Sequence, residues 1–374
     1  MGPGDALFTR FGHAALCVDG TCWNYGTADF SDPVRLGWQV LRGRAMFWVA
    51  TSKQDEMIEL YQSRGRSVFV QELSLPEEAA EEIRDHLVDV LFSDEKYFVY
   101  HHFRDNCTTR VRDVLSRATK GKLGPDRGPP SELVNALLHN VPGVTPVTGR
   151  RIPDGPSLRE MVRSGFAGDV GLLLVGELIL GRAGDRPTTR WQAMFLPSVL
   201  REVVATRLGA VPRQVAPGPL VPPGPRWLGT AVLWGVAVFL AGWLLLLRRW
   251  PRLAFGLVGL VLGLLGLALW ALAVVSVSGE LRWNEHVLLF WPTDLALLFL
   301  GRRRRASYLG VRMAVLLLVV VGHLSTLLVQ PLGPLALALL PIGVGWWLAG
   351  SAALDDWFTA WSTAQQQSGS GRSA

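Results

Sequence analysis

The stretch Tyr100-His101-His102-Phe103-Arg104-Asp105-Asn106-Cys107-Thr108-Thr109-Arg110-Val111-Arg112-Asp113 decides how the N-terminal half is read. Asp105 and Asn106 are helix N-cap residue types, and Val111, Val114 and Leu115 follow at the spacing of one helical face, so a helix is expected over 108–118. Cys107 would stand at its start, where unpaired backbone N–H groups and the positive end of the helix dipole favour thiolate. Two readings are open from this stretch alone: an activated thiol, or a small buried cysteine packed into a helix start.

At 374 residues the chain exceeds one ordinary domain, and two units are expected. Hydrophobic residues make up 49% and the mean hydropathy is +0.26, an excess concentrated in one half. Residues 1–225 have a globular composition, whereas 227–351 are mostly Leu, Val, Ala, Gly and Trp. The net charge of +6 comes with arginines clustered at the ends of apolar runs, which reads as membrane topology and excludes a nucleic-acid partner.

Five apolar runs are expected to cross a bilayer as an all-α bundle: 227–247, 253–277, 287–300, 309–329 and 332–350. The third is short and interrupted by Pro292 and Asp294, and Asp294 is expected to face the bundle or a water-filled cleft. Gly259 and Gly263 form a GxxxG pair read as helix packing. Arg248, Arg249 and Arg252 follow the first run, and Arg302 to Arg305 follow the third. Alternating spans put both sets on one side, the cytoplasmic side, while one span fewer would separate them. Residues 1–208 are then extracytoplasmic, 209–226 with six prolines are a stiff linker, and 352–374 are a cytoplasmic tail. A second Gly/Pro/Lys-rich linker is read at 119–131. Residues 1–12 lack the features of a signal peptide, so an extracytoplasmic placement implies a leader or anchor upstream.

The sequence Cys17-Val18-Asp19-Gly20-Thr21-Cys22 reads as a hairpin with a type I′ turn at Asp19-Gly20, joining strands over 11–18 and 21–26. Cys17 then faces Cys22, as a cross-strand disulfide or as two reduced thiols, and Cys107 is left single. In the same register Ala15 faces Asn24 and His13 faces Gly26, so His13 and Asn24 share one face as a diagonal pair. Tyr25 points the other way. A strand over 67–73 and helices near 55–63 and 77–92 complete the α+β pattern. A cysteine nucleophile needs a base. His101 and His102 lie too close in sequence to Cys107, and His86 and His139 read as ordinary surface or packing residues. His13 on its strand remains, with Asn24 fixing the tautomer that turns the second ring nitrogen to Cys107.

Gly12-His13, Asn24-Tyr25-Gly26, Arg66-Ser67-Val68, Asp105-Asn106-Cys107-Thr108-Thr109-Arg110 and Met194-Phe195-Leu196-Pro197 together resemble the Lnb N-terminal periplasmic domain family. The resemblance spans most of 5–207 and extends to Asn284-Glu285-His286 before the third run. It implies a papain-like, circularly permuted thiol fold similar to lecithin:retinol acyltransferase, with the histidine preceding the cysteine. It also implies a bacterial lipoprotein N-acyltransferase of the inner membrane that uses no cofactor. Cys107, His13 and Asn24 would be catalytic. A phospholipid would donate the acyl chain through a Cys107 thioester, and the N-terminal amine of a diacylated lipoprotein would accept it.

Around the thiol, Asn106, Thr108 and Arg110 are substrate-binding candidates. The N–H groups of Cys107 and Thr108 could hold the oxyanion, and Arg110 could hold a phosphate or pair with Asp113. Asn284 and Glu285 could position a lipid headgroup, or could anchor the interface together with Trp283 and Trp291. Two rival readings are a cell-envelope cysteine hydrolase, with water replacing the amine, and a non-catalytic membrane factor with a structural Cys107.

Overall fold

The computed structural model describes residues 1–124, 156–220 and 224–350. The second linker beyond 124, His139 and the tail from 352 lie outside the described residues. Asp19 and Gly20 both have positive φ, 49° and 75°, as a type I′ turn requires. They join β1 (Leu16–Val18) to β2 (Thr21–Thr27) with Cys17 opposite Cys22, and the two cysteines form a disulfide. The expected first strand is cut short. At Gly12 the chain turns with φ 88°, and His13 exchanges backbone hydrogen bonds with Met1 instead of β2.

The helix α1 (Pro33–Leu41) starts where the Asp32 side chain accepts from the Arg35 N–H. The strand β3 (Met46–Lys53) follows, unexpected from the sequence, with Phe47 and Val49 turned into the core. Next come α2 (Gln54–Ser63), β4 (Val68–Val70), α3 (Glu77–Phe92), β5 (Tyr97–Val99) and α4 (Cys107–Ala118). Strands β1, β2, β3 and β5 form one antiparallel sheet in that order. Ile83, Leu87 and Val90 of α3 recur at i, i+4 and i+7 and pack with Val111 and Leu115 of α4 against the sheet.

After α4 the described chain resumes with α5 (Leu158–Phe166), capped by Ser157, then α6 (Val170–Ile179) and α7 (Pro197–Leu208). The expected Pro-rich linker contains an element: β6 (Arg213–Ala216) pairs antiparallel with β4. Four residues between prolines suffice for a two-stranded ribbon, and Ala216 is fully buried in it. Residues 1–173, 184–226 and 275–278 make up one compact unit; 174–183, 227–274 and the residues from 279 make up the other.

Among its described residues the second unit has four helices long and apolar enough to cross a membrane: α8 (Leu228–Leu246), α9 (Pro251–Val275), α10 (Arg302–Leu324) and α11 (Gly333–Gly350). The third expected span is not a fifth such helix. It is broken into two 3-10 turns, Glu285–Leu288 and Pro292–Leu298. Pro292 interrupts the run, and fully buried Asp294 binds the Arg312 guanidinium through two oxygens at 2.8 and 3.0 Å. The broken segment runs antiparallel to α9. Trp270 donates to the carbonyls of Val287 and Phe290, and Gly266, Gly263 and Gly259 of α9 abut Trp291, Leu295 and Leu297 in turn. The glycine pair read as a packing motif thus admits this segment, since a Cβ at Gly263 would lie 2.7 Å from the Leu295 nitrogen. The return path ends with Arg305 over the Phe255 ring, 4.5 Å away. Both arginine sets therefore sit at one end of the bundle, although the described residues contain only four long helices.

Candidate active site

The site is assembled where the first turn of α4 meets the segment preceding β1. Asn106 caps α4: its Oδ1 accepts the N–H groups of Thr108 and Thr109, each at 2.9 Å, and its own N–H donates to Thr109 Oγ1. Asn106 Nδ2 donates to the carbonyls of His102 and Phe195, which ties the preceding loop and a distant segment to the helix start. Every polar atom of this side chain is thus engaged in holding Cys107 in place. The Thr108 N–H, one of the two expected oxyanion donors, is consumed by the cap. The Cys107 N–H remains as a first-turn donor with no intrahelical acceptor.

His13 reaches Cys107 across the hairpin. Its Nε2 lies 3.2 Å from Asn24 Oδ1. Asn24 Nδ2 donates to Ser52 Oγ at 3.0 Å and to the Cys22 carbonyl, which fixes Oδ1 as the acceptor for the imidazole. His13 Nε2 is then protonated, and the hydrogen bond between His13 and Cys107 uses the other ring nitrogen. A β-bulge in β2 falls between Asn24 and Thr27, and Gly26 lies within it. A Cβ on Gly26 would stand 2.8 Å from His13 Cε1, so the imidazole occupies the space a side chain would fill. Tyr25 on the opposite face is buried against Phe98.

Cys107 is half-buried. Burial alone pushes its thiol pKa up. The His13 charge and hydrogen bond, the Ala14 N–H and the Thr108 hydroxyl outweigh this and bring it down to about 7. The Tyr61 ring stacks on His13 with centroids 6.1 Å apart and planes 15° from parallel, and Arg66 lies over Tyr61 at 4.5 Å while donating twice to the Gly2 carbonyl. Tyr61, Ser52 and the Ala14 N–H were not singled out in the sequence, whereas Gly26 was read as facing His13. Only Gly26, and Arg66 behind the ring, fell inside stretches carrying the family resemblance.

The other candidates are placed as follows. Arg110 pairs with Asp105 through two bonds of 2.6 and 2.7 Å and stacks on Phe98. Asp113, its expected partner, is taken by Arg112. His102 is packed among Phe11, Phe103 and Phe195 with Nδ1 on the Tyr100 hydroxyl, and burial, assisted by His101, lowers its pKa to about 4. Asn284 and Glu285 belong to the second unit. Asn284 donates to the Leu178 carbonyl and accepts from the His286 N–H. Glu285 accepts from the N–H groups of Val329 and Gln330 and pairs with Arg182. These contacts brace the start of the broken segment. Among the described residues no group of three or more His, Cys, Asp or Glu side chains is placed to hold a metal ion.

A thiolate-forming cysteine, an imidazole bonded to it and an amide orienting that imidazole can perform nucleophilic acyl chemistry. Residues 1–140 match the family model described as the Lnb N-terminal periplasmic domain. No curated protein and no solved structure matches the chain.

Proposed function

With its first 140 residues belonging to the Lnb N-terminal periplasmic domain family, we propose that the protein is a membrane-bound acyltransferase acting on bacterial lipoproteins. The observation that carries this reading is the Cys107–His13–Asn24 array. The Cys107 thiolate attacks the ester carbonyl of a phospholipid. A C–S bond forms, the ester C–O bond breaks, and the His13 imidazolium gives its proton to the departing alcohol. The N-terminal amine of a diacylated lipoprotein then attacks the thioester, His13 takes the amine proton, and the thiolate returns. Asn24 holds the ring in the required tautomer, and the Cys107 N–H faces the developing oxyanion. The framework is read as papain-like and circularly permuted, since the histidine precedes the cysteine in the chain.

The membrane spans support substrates anchored in the bilayer. Both arginine sets at one end of the bundle support a cytoplasmic-membrane orientation with that end inside and the residues before α8 in the periplasm. Arg110, committed to Asp105, is assigned to the framework rather than to the headgroup. Asn106 and Thr108 contribute by fixing and hydrogen-bonding the nucleophile.

The test is incubation of the full chain in vesicles with a defined phospholipid and a diacylated lipopeptide, followed by mass spectrometry. N-acylated peptide and an acyl adduct on Cys107 are expected, and both are absent in Cys107→Ala. Free fatty acid without N-acylated peptide identifies a hydrolase instead. Unchanged N-acylation in an inserted, folded Cys107→Ala protein overturns the reading.

A further inference from the structure

A cavity of about 1010 Å³ lies in the first unit, with His13 and Ala14 in its wall. The fold places its two ends. One end is lined by His13 and Ala14, the residues whose imidazole and N–H hold the Cys107 sulfur. The other is lined by Val18, Ala80 and Ile83. Arg84 pairs with Asp19 at the hairpin turn at 2.9 Å, so Ile83, next to Arg84, and Ala80, one turn earlier on α3, are brought to the hairpin end that holds Val18. The chain from His13 to Val18 spans at most about 16 Å, at ~3.3 Å per residue. Between the ends the wall includes Leu16, Val111, Leu115 and Val199, each buried.

Two of the polar side chains on this wall are held by the protein. Gln71 donates to the carbonyls of Arg201 and Ala210, and Arg201 stacks on Phe69 and pairs with Glu202. The greater part of the wall is apolar. It suits an apolar occupant. At roughly 30 Å³ per methylene, close to the share of one liquid water molecule, a chain of about 16 carbons needs about 500 Å³.

We propose that this cavity receives the hydrocarbon tail of the acyl group transferred through Cys107, and that Ala80 and Ile83 at its far end set the longest chain admitted. The proposal rests on the acyl-transfer reading for the source of the chain, and on the cavity alone for its binding. Binding is noncovalent, with the tail leaving water as the carbonyl carbon comes to the sulfur.

Two measurements on the full chain in vesicles test it. In the first, Cys107→Ala protein is irradiated with a long-chain fatty acid carrying a terminal diazirine, and the labelled peptides are mapped. Label around Val18 and Ala80–Ile83 is expected, and Ala80→Trp abolishes it while leaving the thermal midpoint in place, because the half-buried Ala80 borders the void. In the second, intact-mass analysis of Cys107 adducts is expected to show a shift to shorter acyl chains in Ala80→Trp. Label confined to α8–α11, or identical adduct lengths in both proteins, overturns the proposal even if Cys107 is acylated. Label at Ala80–Ile83 in a protein whose Cys107 never becomes acylated upholds the chain site and overturns acyl transfer instead.

Discussion

His13 Nε2 lies 3.2 Å from Asn24 Oδ1 across the hairpin, and this one bond leaves Nδ1 as the ring nitrogen available to Cys107. Removing the acceptor in Asn24→Ala frees the ring to rotate. A hydrogen bond to a group that becomes charged is worth about 1.5–3 kcal/mol, so acyl transfer should fall about 10- to 100-fold. Asn24→Asp keeps an acceptor at the same place and should recover part of the loss. Thioester formation on Cys107, timed by mass spectrometry, gives the comparison.

The thiol pKa of about 7 makes alkylation pH-dependent. Thiolate is the reactive form, so the rate of Cys107 modification by iodoacetamide should rise with pH through about 7 and level off above it. In His13→Ala the charge and hydrogen bond are lost while burial remains, and the midpoint should move up. A midpoint unmoved by that substitution would show that His13 does not set the thiol's ionisation.

Gly26→Ala places a methyl 2.8 Å from His13 Cε1. The ring must move because the bulged backbone beneath it is held by β3. Displacement of a reacting group by about 1 Å costs on the order of 10²-fold in rate. Activity should drop by that order, while the melting temperature, read by circular dichroism, changes little.

In the bundle, Arg312→Leu strands a carboxylate in a fully buried position. Breaking such a pair costs about 3–5 kcal/mol. The double substitution Asp294→Leu with Arg312→Leu removes both charges and should be less harmful than the single one. Tyr308, which donates to Asp294 at 2.7 Å, loses its partner in the double variant, so recovery should be incomplete. Thermal stability in detergent measures all three proteins.

Parts of this structure that rest on local chemistry were legible in the sequence. Asp19-Gly20 can hardly be anything but a turn with two positive φ values, and that turn fixed the Cys17–Cys22 register; His13 lies before the paired strand and meets Gly26 by packing instead of by register. The cap at Asn106 was equally local. What escaped was set by partners remote in sequence. Arg110 at helical spacing pointed to Asp113, but Arg112 holds Asp113, and Asp105 before the cap is within reach of Arg110. The strand β3 declares itself only through its neighbours β2 and β5, and β6 only through β4. The run at 287–300 has the composition of a span; its break follows from Asp294 meeting an arginine on the next helix. The cavity wall draws on segments from Met1 to Leu220, and no spacing rule joins them.

The Asp294–Arg312 pair also bears on the order in which the chain enters the membrane. A carboxylate at the centre of an apolar segment opposes insertion by about 3 kcal/mol, and Pro292 denies that segment the continuous helix that would satisfy its backbone. The segment 285–298 thus has no stable place in lipid when it leaves the ribosome. It acquires one when α10 arrives with Arg312 and Tyr308. Biogenesis at this point runs against chain order: a nascent chain halted before Arg312 would keep 285–298 outside the bilayer, and release of a few more residues would draw it in.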